Sequence, residues 1–351
     1  MKAELILENG MRFAGEMFGA ERDVVGEIVF TTAAGGYQET VTDPSFAGQI
    51  VTMTFPIFGC YGANSFDNEA KKAAMLALIV RDKCDFPSNF RCEMTVDEFL
   101  KQQGVVGISG VDTRELTRVI RRYGTMKAVI VSGQISTAEA RERMEEYDSS
   151  DVIMQTTTDS TYVYSPKGDT NVAVIDLGTK ESVLAELQDR KCKVTVFPAN
   201  AKADEIMAIN PDVVFVSSGP GNPAKAPGTV ETVKALLGKV KVCGICTGHL
   251  VIALALGCTV DKLDFGHHGA NYPVKDLASG RVFITAQNNN YVVTRLADGV
   301  TETYKNVNDG TCAGFECKEL NVESVLFRPH GETRIYGDGF IYDRFLGKEE
   351  K

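Results

Sequence analysis

The sequence of 351 residues lacks the features that would tie it to a membrane or a nucleic acid. No apolar run is long enough to span a bilayer, and the opening MKAELILENG lacks the basic and then apolar pattern of a secretory signal. Basic residues are not in excess, since 37 Lys and Arg stand against 47 Asp and Glu, for a formal net charge of −10. Nucleic acids and anionic membranes bind through clustered Lys and Arg. We therefore expect a cytoplasmic protein that binds small substrates or another protein, with no nucleic acid or membrane as partner.

The nine cysteines do not suit a disulfide framework, because their number is odd and a reducing compartment keeps thiols free. Cys243 and Cys246 form a C-x-x-C pair within CGICTGHL, a spacing typical of redox and zinc sites. Zinc needs further ligands, and no second pair of similar spacing is present, since Cys312 and Cys317 are too widely spaced. We therefore expect no metal site.

The N-terminal part of the chain, residues 1–150, is predicted to be an α+β domain. Its strand-like segments are followed by three helix starts, at which Thr95, Asp112 and Ser136 each precede a glutamate by three residues. The polar, Thr- and Ser-rich residues 151–170 have no sustained period and are predicted to be a linker.

The C-terminal part, residues 171–351, alternates short apolar runs with amphipathic segments. This alternation is typical of parallel β-α-β units, whose functional loops follow the carboxyl ends of the strands. The predicted fold class is therefore α/β, with the N-terminal α+β domain followed by a doubly wound, mostly parallel sheet.

A glycine loop, SSGPGNP at residues 217–223, follows the apolar run DVVFV. Its glycines fit the loose dinucleotide pattern G-x-G-x-x-A, but Pro223 and Pro227 impose a loop where that pattern requires a helix. The next strand also lacks the terminal acid that would hold a ribose, so we reject a nucleotide site. Such a loop can turn backbone amides toward an anionic group, although taken alone it is better explained as a tight turn.

The segment Gly244-Ile245-Cys246-Thr247-Gly248 lies between a predicted buried strand and a predicted helix, and it fits a nucleophile elbow. In such an elbow the glycines permit a strained turn, and the N–H after the nucleophile can face an oxyanion. The helix N-terminus favours thiolate over thiol. Cys246 is therefore the predicted nucleophile, and Cys243 is interpreted as buried core.

A thiolate nucleophile needs a base, and the chain has four histidines. His249 starts the helix, where a structural role is the default, and His267 and His268 are interpreted as loop residues after a strand. His330 ends the apolar run VLFRP, and Glu332 follows two positions on. This pair is predicted to lie at the same sheet edge as Cys246, with His330 as base and Glu332 as its orienting carboxylate.

The motifs GPGNP, GICTGH, FGHHGANYPVKDL, TAQN and the late His-x-Glu together resemble those of class I, triad-type glutamine amidotransferases. The segments GGYQETVTDPSFAGQIVTMTFP and GVDTRELTRVIR resemble the N-terminal domain of one branch of that family, the small subunits of carbamoyl-phosphate synthetase. The resemblance implies that Cys246 attacks the side-chain amide of L-glutamine, that His330 passes a proton to the departing ammonia, and that Glu332 orients His330.

The resemblance also implies a glutamine pocket and a partner. The pocket residues that it carries over are Ser45, Gly219, Gly221, Thr247, Leu250, Asn288, Asn290 and Tyr291. Ammonia is expected to pass to a large synthetase subunit, in a heterodimer or a larger assembly, where ATP, magnesium and bicarbonate react. This chain contains no P-loop and is itself expected to need no cofactor.

Several pocket positions depart from the family pattern. Thr247 and Leu250 replace the leucine and the substrate-holding glutamine of C-L-G-H-Q, and loss of such a polar clamp costs on the order of 1–3 kcal/mol. Asn290 replaces a glycine that lets the backbone approach the substrate, and Gly331 replaces the proline of H-P-E. We expect a divergent member with a retained triad and an altered glutamine site.

Two alternatives remain open. The chain could be a non-catalytic docking or regulatory paralogue, with free ammonia as the nitrogen source. It could instead be a cysteine hydrolase of a different amide, if Leu250 and Asn290 exclude glutamine. The product is expected to serve pyrimidine or arginine biosynthesis.

Overall fold

The computed structural model describes residues 1–329 and 338–348 and divides into two compact units. The first comprises Met1–Ser149 and Asp264–Gly266, and the second comprises Ser150–Leu263 and His267–Lys351. Both units combine strands and helices, so the predicted α/β fold class is confirmed. Within the described residues, no helix has the length and apolar character needed to cross a membrane.

A closed barrel forms the centre of the first unit, in the strand order β1-β2-β8-β6-β4-β3-β9, and β5 pairs separately with β7. The strands are β1 (Lys2–Leu7), β2 (Arg12–Gly19), β3 (Val24–Thr31), β4 (Gln49–Met53), β5 (Ile57–Phe58), β6 (Ala77–Ile79), β7 (Asp82–Lys83), β8 (Val106–Ser109) and β9 (Met126–Ser132). The helices are α1 (Tyr37–Thr42), α2 (Val96–Gln103), α3 (Thr113–Tyr123) and α4 (Thr137–Glu146), with a 3-10 turn at Pro44–Phe46.

The three helix starts predicted for this unit are confirmed. Thr95 and Glu98 form both hydrogen bonds of a capping box at the start of α2. The side chains of Asp112 and Ser136 each accept a hydrogen bond from the backbone N–H three residues on, at the starts of α3 and α4. A side-chain oxygen thus satisfies an N–H that has no acceptor within the helix, which fixes where each helix begins.

A mixed sheet forms the centre of the second unit, in the order β10-β12-β11-β13-β14-β19-β18-β16-β15-β17. The strands are β10 (Tyr162–Ser165), β11 (Thr170–Asp176), β12 (Cys192–Pro198), β13 (Val213–Val216), β14 (Lys241–Ile245), β15 (Thr259–Asp276), β16 (Val282–Arg295), β17 (Thr301–Asn306), β18 (Cys312–Cys317) and β19 (Val322–Val325). The helices are α5 (Val152–Thr156), α6 (Glu181–Asp189), α7 (Ala203–Met207), α8 (Pro227–Leu236), α9 (Thr247–Ala255) and α10 (Phe340–Phe345), with a 3-10 turn at Pro223–Lys225.

The run β12-β11-β13-β14-β19 is parallel throughout. Successive residues of its strands enter opposite apolar clusters: Val214 and Val216 lie in one, while Val213 and Phe215 lie in the other. Because side chains alternate across a strand, this pattern shows a sheet covered on both faces, as expected for parallel strands joined by helices. The carboxyl ends of β14 and β19 therefore meet at one edge of the sheet.

Residues 151–170, predicted to be a linker, contain α5 and β10, and β10 pairs with β12. Threonine side chains tie this segment to the end of β11, since the Thr157 hydroxyl donates to the Asp176 carbonyl oxygen at 2.6 Å. The Asp176 carboxylate accepts from the Thr158 N–H at 2.7 Å. The structure thus differs from the prediction because this segment is held by hydrogen bonds to Asp176, which hydrophobic periodicity does not reveal.

Candidate active site

Cys246 lies between the end of β14 and the start of α9, with φ 52° and ψ −117°. A positive φ is uncommon for a residue with a side chain and strains the backbone by roughly 1–3 kcal/mol. Such strain persists where the surrounding structure enforces it and is found most often at functional sites. The strand, the strained residue and the helix have the arrangement expected of a nucleophile elbow.

Two glycines permit this turn, one on each side of Cys246. A Cβ at Gly248 would overlap the Val216 carbonyl oxygen, and a Cβ at Gly244 would lie 2.6 Å from Cδ1 of Ile252. A side chain at Gly248 would push α9 away from the main chain at the end of β13, whereas one at Gly244 would require the Ile252 side chain to move. The G-x-C-x-G spacing is therefore a packing requirement of the turn.

The Cys246 side chain is buried, and its Sγ lies 3.3 Å from the main-chain carbonyl oxygen of Asn288. The Cys246 N–H donates to the Val325 carbonyl oxygen at 3.0 Å, which joins the turn to the end of β19. Cys246 is thus held between the ends of β14 and β19 and the strand β16.

Cys243 has different surroundings. It is fully buried in the apolar cluster on one face of the sheet, and burial raises the pKa of its thiol. The Cys243 Sγ contacts the Phe345 carbonyl oxygen at 3.8 Å. Because side chains alternate between the two faces along β14, the Cys243 side chain lies in this core. Cys246 lies in the turn that follows the strand.

The glycine loop lies beside the elbow. The Thr247 hydroxyl donates a hydrogen bond to the Gly219 carbonyl oxygen. Gly221 has φ +73°, and a Cβ there would lie 2.5 Å from Cγ2 of Val152 in α5. The loop is therefore fixed from one side by the first residue of α9 and from the other by α5.

This arrangement can stabilise negative charge near Cys246. Thr247 is the first residue of α9, so its N–H has no acceptor within the helix, and helix N-termini favour anions. Its side chain holds the glycine loop next to the same turn. Backbone N–H groups from the two segments are the donor type that binds an oxyanion in acyl transfer.

The predicted pocket residues of β16 are linked to β15 through His268. Nδ1 of His268 lies 2.5 Å from Oδ1 of Asn288, and Nε2 lies 2.9 Å from Oδ1 of Asn290. Tyr291 is partly buried, and its carbonyl oxygen accepts from the Asn289 side chain at 3.1 Å. The structure thus brings Asn288 and Asn290 together on one imidazole.

The interpretation of His267 and His268 as loop residues is wrong, because both are buried within β15. Nε2 of His267 lies 2.6 Å from the Asp309 carboxylate. Burial raises the pKa of Asp309, but hydrogen bonds from His267 and Thr311 outweigh it and lower that pKa to about 2. Sequence reasoning missed the contacts of His268, for which the paired histidines of FGHHGAN were the only signal.

His249 has the structural role expected of it. It is fully buried, its Nδ1 lies 2.9 Å from the Ser324 hydroxyl, and its ring contacts Phe315. Burial lowers the pKa of His249 to about 3, so the ring is neutral near pH 7. A neutral imidazole that contacts the Ser324 hydroxyl supports the end of β19.

The predicted base His330 and its partner Glu332, like Gly331, lie outside the described residues. The described chain leads to Pro329 through Arg328, which forms a β-bridge with Ala286 of β16. β19, which precedes this segment, is the parallel neighbour of β14, with Val325 opposite Ile245.

The structure also describes two further predicted pocket residues, Leu250 and Ser45. Leu250 is buried in the apolar cluster around α9 and offers no hydrogen bond to a ligand. Ser45 belongs to the first unit, in the 3-10 turn capped by Asp43, and its buried hydroxyl has no hydrogen-bond partner among the described residues.

In the described part of the chain, no group of three or more His, Cys, Asp and Glu side chains could hold a metal ion.

Comparisons with known proteins cover both parts of the chain. Residues 5–130 match the family model described as carbamoyl-phosphate synthase small chain, CPSase domain. Residues 173–347 match the model described as glutamine amidotransferase class-I. These matches confirm the resemblance inferred from the motifs.

Curated relatives align along almost the whole chain. A carbamoyl phosphate synthase small chain of Clostridium perfringens is 44% identical over 346 residues, with 99% of each chain covered. The protein of that name from Bacillus caldolyticus is 42% identical over 350 residues, covering 99% of this chain and 96% of the relative. That from Archaeoglobus fulgidus is 43% identical over 351 residues, covering 99% and 98%.

Proposed function

The chain belongs to the carbamoyl phosphate synthase small chain family, and from this we propose that it hydrolyses glutamine with a triad of Cys246, His330 and Glu332. It is the glutamine amidotransferase subunit of a carbamoyl phosphate synthase. The proposal assigns the nucleophile, the base and the orienting carboxylate to these three residues, in that order.

The observation that supports Cys246 most strongly is its strained backbone in a turn that the packing of two glycines enforces. His330 is proposed as the base because it follows β19, the parallel neighbour of β14 in the sheet. The chain after β19 leads to Pro329, one residue before His330. The bridge between Arg328 and Ala286 supports this, because Ala286 is two residues from Asn288, which contacts the nucleophile.

The proposed reaction proceeds in two steps. The Cys246 thiol gives its proton to His330 as the sulfur attacks the side-chain amide carbon of glutamine and forms a C–S bond. The C–N bond then breaks as His330 passes this proton to the departing ammonia. Water, deprotonated by His330, then attacks the thioester, releasing glutamate and restoring the thiol. The oxyanion of each tetrahedral intermediate is proposed to accept hydrogen bonds from the Thr247 N–H and the glycine loop.

The glutamine pocket is proposed to use Gly219, Gly221, Thr247, Leu250, Asn288, Asn290 and Tyr291. Of these, Thr247 and Gly219 are joined by a hydrogen bond, and Asn288 contacts Cys246 through its main chain. Leu250 is proposed to shape the pocket by packing alone, since it is buried among apolar side chains.

Ammonia is proposed to pass to a carbamoyl phosphate synthase large subunit, which would bind ATP and magnesium. The names of the relatives support this, because a small chain implies a larger one. This chain is proposed to need no cofactor, since thiolate, imidazole and backbone N–H groups suffice for amide hydrolysis.

The test measures glutamate release from L-glutamine by the purified chain, with and without the large subunit from the same organism. We expect release that rises with the large subunit and is lost in Cys246→Ala. The matched variant Cys243→Ala, in the same strand but within the core, should retain release after correction for its stability. Release that survives Cys246→Ala would contradict the proposed nucleophile, and absent release with intact subunit binding would indicate a docking role.

A further inference from the structure

His268 occupies the space between two asparagine side chains of β16. Its two ring nitrogens lie 2.5 Å and 2.9 Å from the side-chain oxygens of Asn288 and Asn290. The His268 side chain is buried and pairs with Asn288 across the β15–β16 ladder. Since residues two apart on a strand share a face, one imidazole fixes two neighbouring side chains of the same face.

The main chain of this part of β16 lies next to the nucleophile. The Asn288 main-chain carbonyl oxygen is 3.3 Å from the Cys246 Sγ, and Asn290 follows about 7 Å further along the strand. The side chain of Asn290 ends in a carboxamide, the same group as the side chain of glutamine. A change in the position of the Asn290 amide would therefore place its hydrogen-bonding groups where they compete with the substrate amide.

We propose that His268 is a positioning residue that holds the Asn290 side chain against β15 and thereby keeps the glutamine pocket beside Cys246 accessible. This inference rests on the proposed function, because it concerns the same pocket. It states that the cost of losing His268 arises from a changed position of the Asn290 side chain.

The neighbouring histidines have contacts of another kind. His267 lies on the same strand but bonds to the Asp309 carboxylate, and His249 bonds to the Ser324 hydroxyl. Neither of these contacts involves a residue of the proposed pocket. His268, by contrast, contacts two pocket residues at once, which is the arrangement expected of a side chain that sets their positions.

The test is a double-mutant cycle measured by KM and kcat for glutamine in the complex with the large subunit. We expect His268→Ala to raise KM about tenfold and to change kcat less than about threefold. Asn290→Gly introduced into His268→Ala should bring KM back to within about threefold of that of Asn290→Gly alone. A histidine that merely supports the strand would not be relieved by removal of a second side chain.

His267→Ala is the matched control, since it removes a buried imidazole from the adjacent position. Asn290→Gly should not relieve whatever loss His267→Ala causes. If His268→Ala does not fold, His268→Phe takes its place, because phenylalanine keeps the ring volume and removes both hydrogen bonds.

Independent, additive effects of the His268 and Asn290 substitutions on KM would overturn the inference. The wild-type complex is assayed alongside. Absence of glutamate release by the wild type would contradict the proposed function itself, whereas an active wild type without rescue would contradict only the role of His268.

Discussion

The Cys246 sulfur lies 3.3 Å from the main-chain carbonyl oxygen of Asn288, a residue 42 positions later in the chain. This contact joins the turn after a parallel strand to the antiparallel strand β16. The nucleophile and the predicted pocket residues of β16 are thus brought together by the order of strands in one sheet. Changes to the turn should therefore affect substrate turnover and stability together.

Gly248→Ala should damage the turn directly. The added Cβ would overlap the Val216 carbonyl oxygen, so α9 must shift, and we expect a loss of about 3 kcal/mol in unfolding free energy and a large loss of glutamate release. Gly228→Ala is the control, because a Cβ there has no neighbour within 4 Å. It should be neutral or stabilise the protein by up to about 1 kcal/mol. The unfolding free energies of both variants are measured by urea denaturation. Equal stability of Gly248→Ala and Gly228→Ala would disprove the packing argument.

Thr247→Val should uncouple the elbow from the glycine loop. Valine keeps the shape of threonine but leaves the Gly219 carbonyl oxygen without its hydroxyl donor. We expect a loss of about 1–3 kcal/mol in unfolding free energy, with a fall in kcat if the loop helps to bind the oxyanion. Thr247→Ser, which retains the hydroxyl, should lie close to the wild type in both measurements. If serine and valine behave alike, the hydrogen bond does not matter.

His249 should make the protein sensitive to acid. Its pKa is lowered by burial to about 3, below its ordinary value of 6.5, so between these values the unfolded state binds a proton that the folded state does not. The neutral His249 therefore contributes stability fully above about pH 6.5 and loses it progressively as the pH falls toward 3.

Unfolding free energy measured from pH 4 to 7 should rise with a slope of up to about 1.4 kcal/mol per pH unit from this residue. His249→Asn, which does not titrate in this range, should flatten the curve. An unchanged slope would show that other groups dominate acid sensitivity.

The sequence predicted those parts of the structure that depend on local chemistry. Thr95, Asp112 and Ser136 mark helix starts because each cap satisfies a backbone N–H three residues away. The elbow around Cys246 was recognisable because its glycine spacing is required by contacts of adjacent elements.

The parts of the structure that the sequence did not predict depend on strand pairing between segments that are distant in the sequence. β15 contains glycine, asparagine and proline, residues that disfavour strands, and its pairing with β16 shifts register at three places. His267 and His268 therefore carried no strand signal, and the contact of His268 with Asn290 follows only once that register is known. The closing of seven strands into a barrel is likewise a long-range property.

The most direct test of the account is to trap the covalent intermediate on the nucleophile. The complex is quenched with acid during glutamine turnover, digested, and sequenced by mass spectrometry across residues 242–262, which include Cys243, Cys246 and Cys258. We predict a glutamyl thioester on Cys246 that is absent from the other two cysteines and from Cys246→Ser. A glutamyl group on another residue, during turnover that persists in Cys246→Ser, would contradict the assignment of Cys246 as nucleophile.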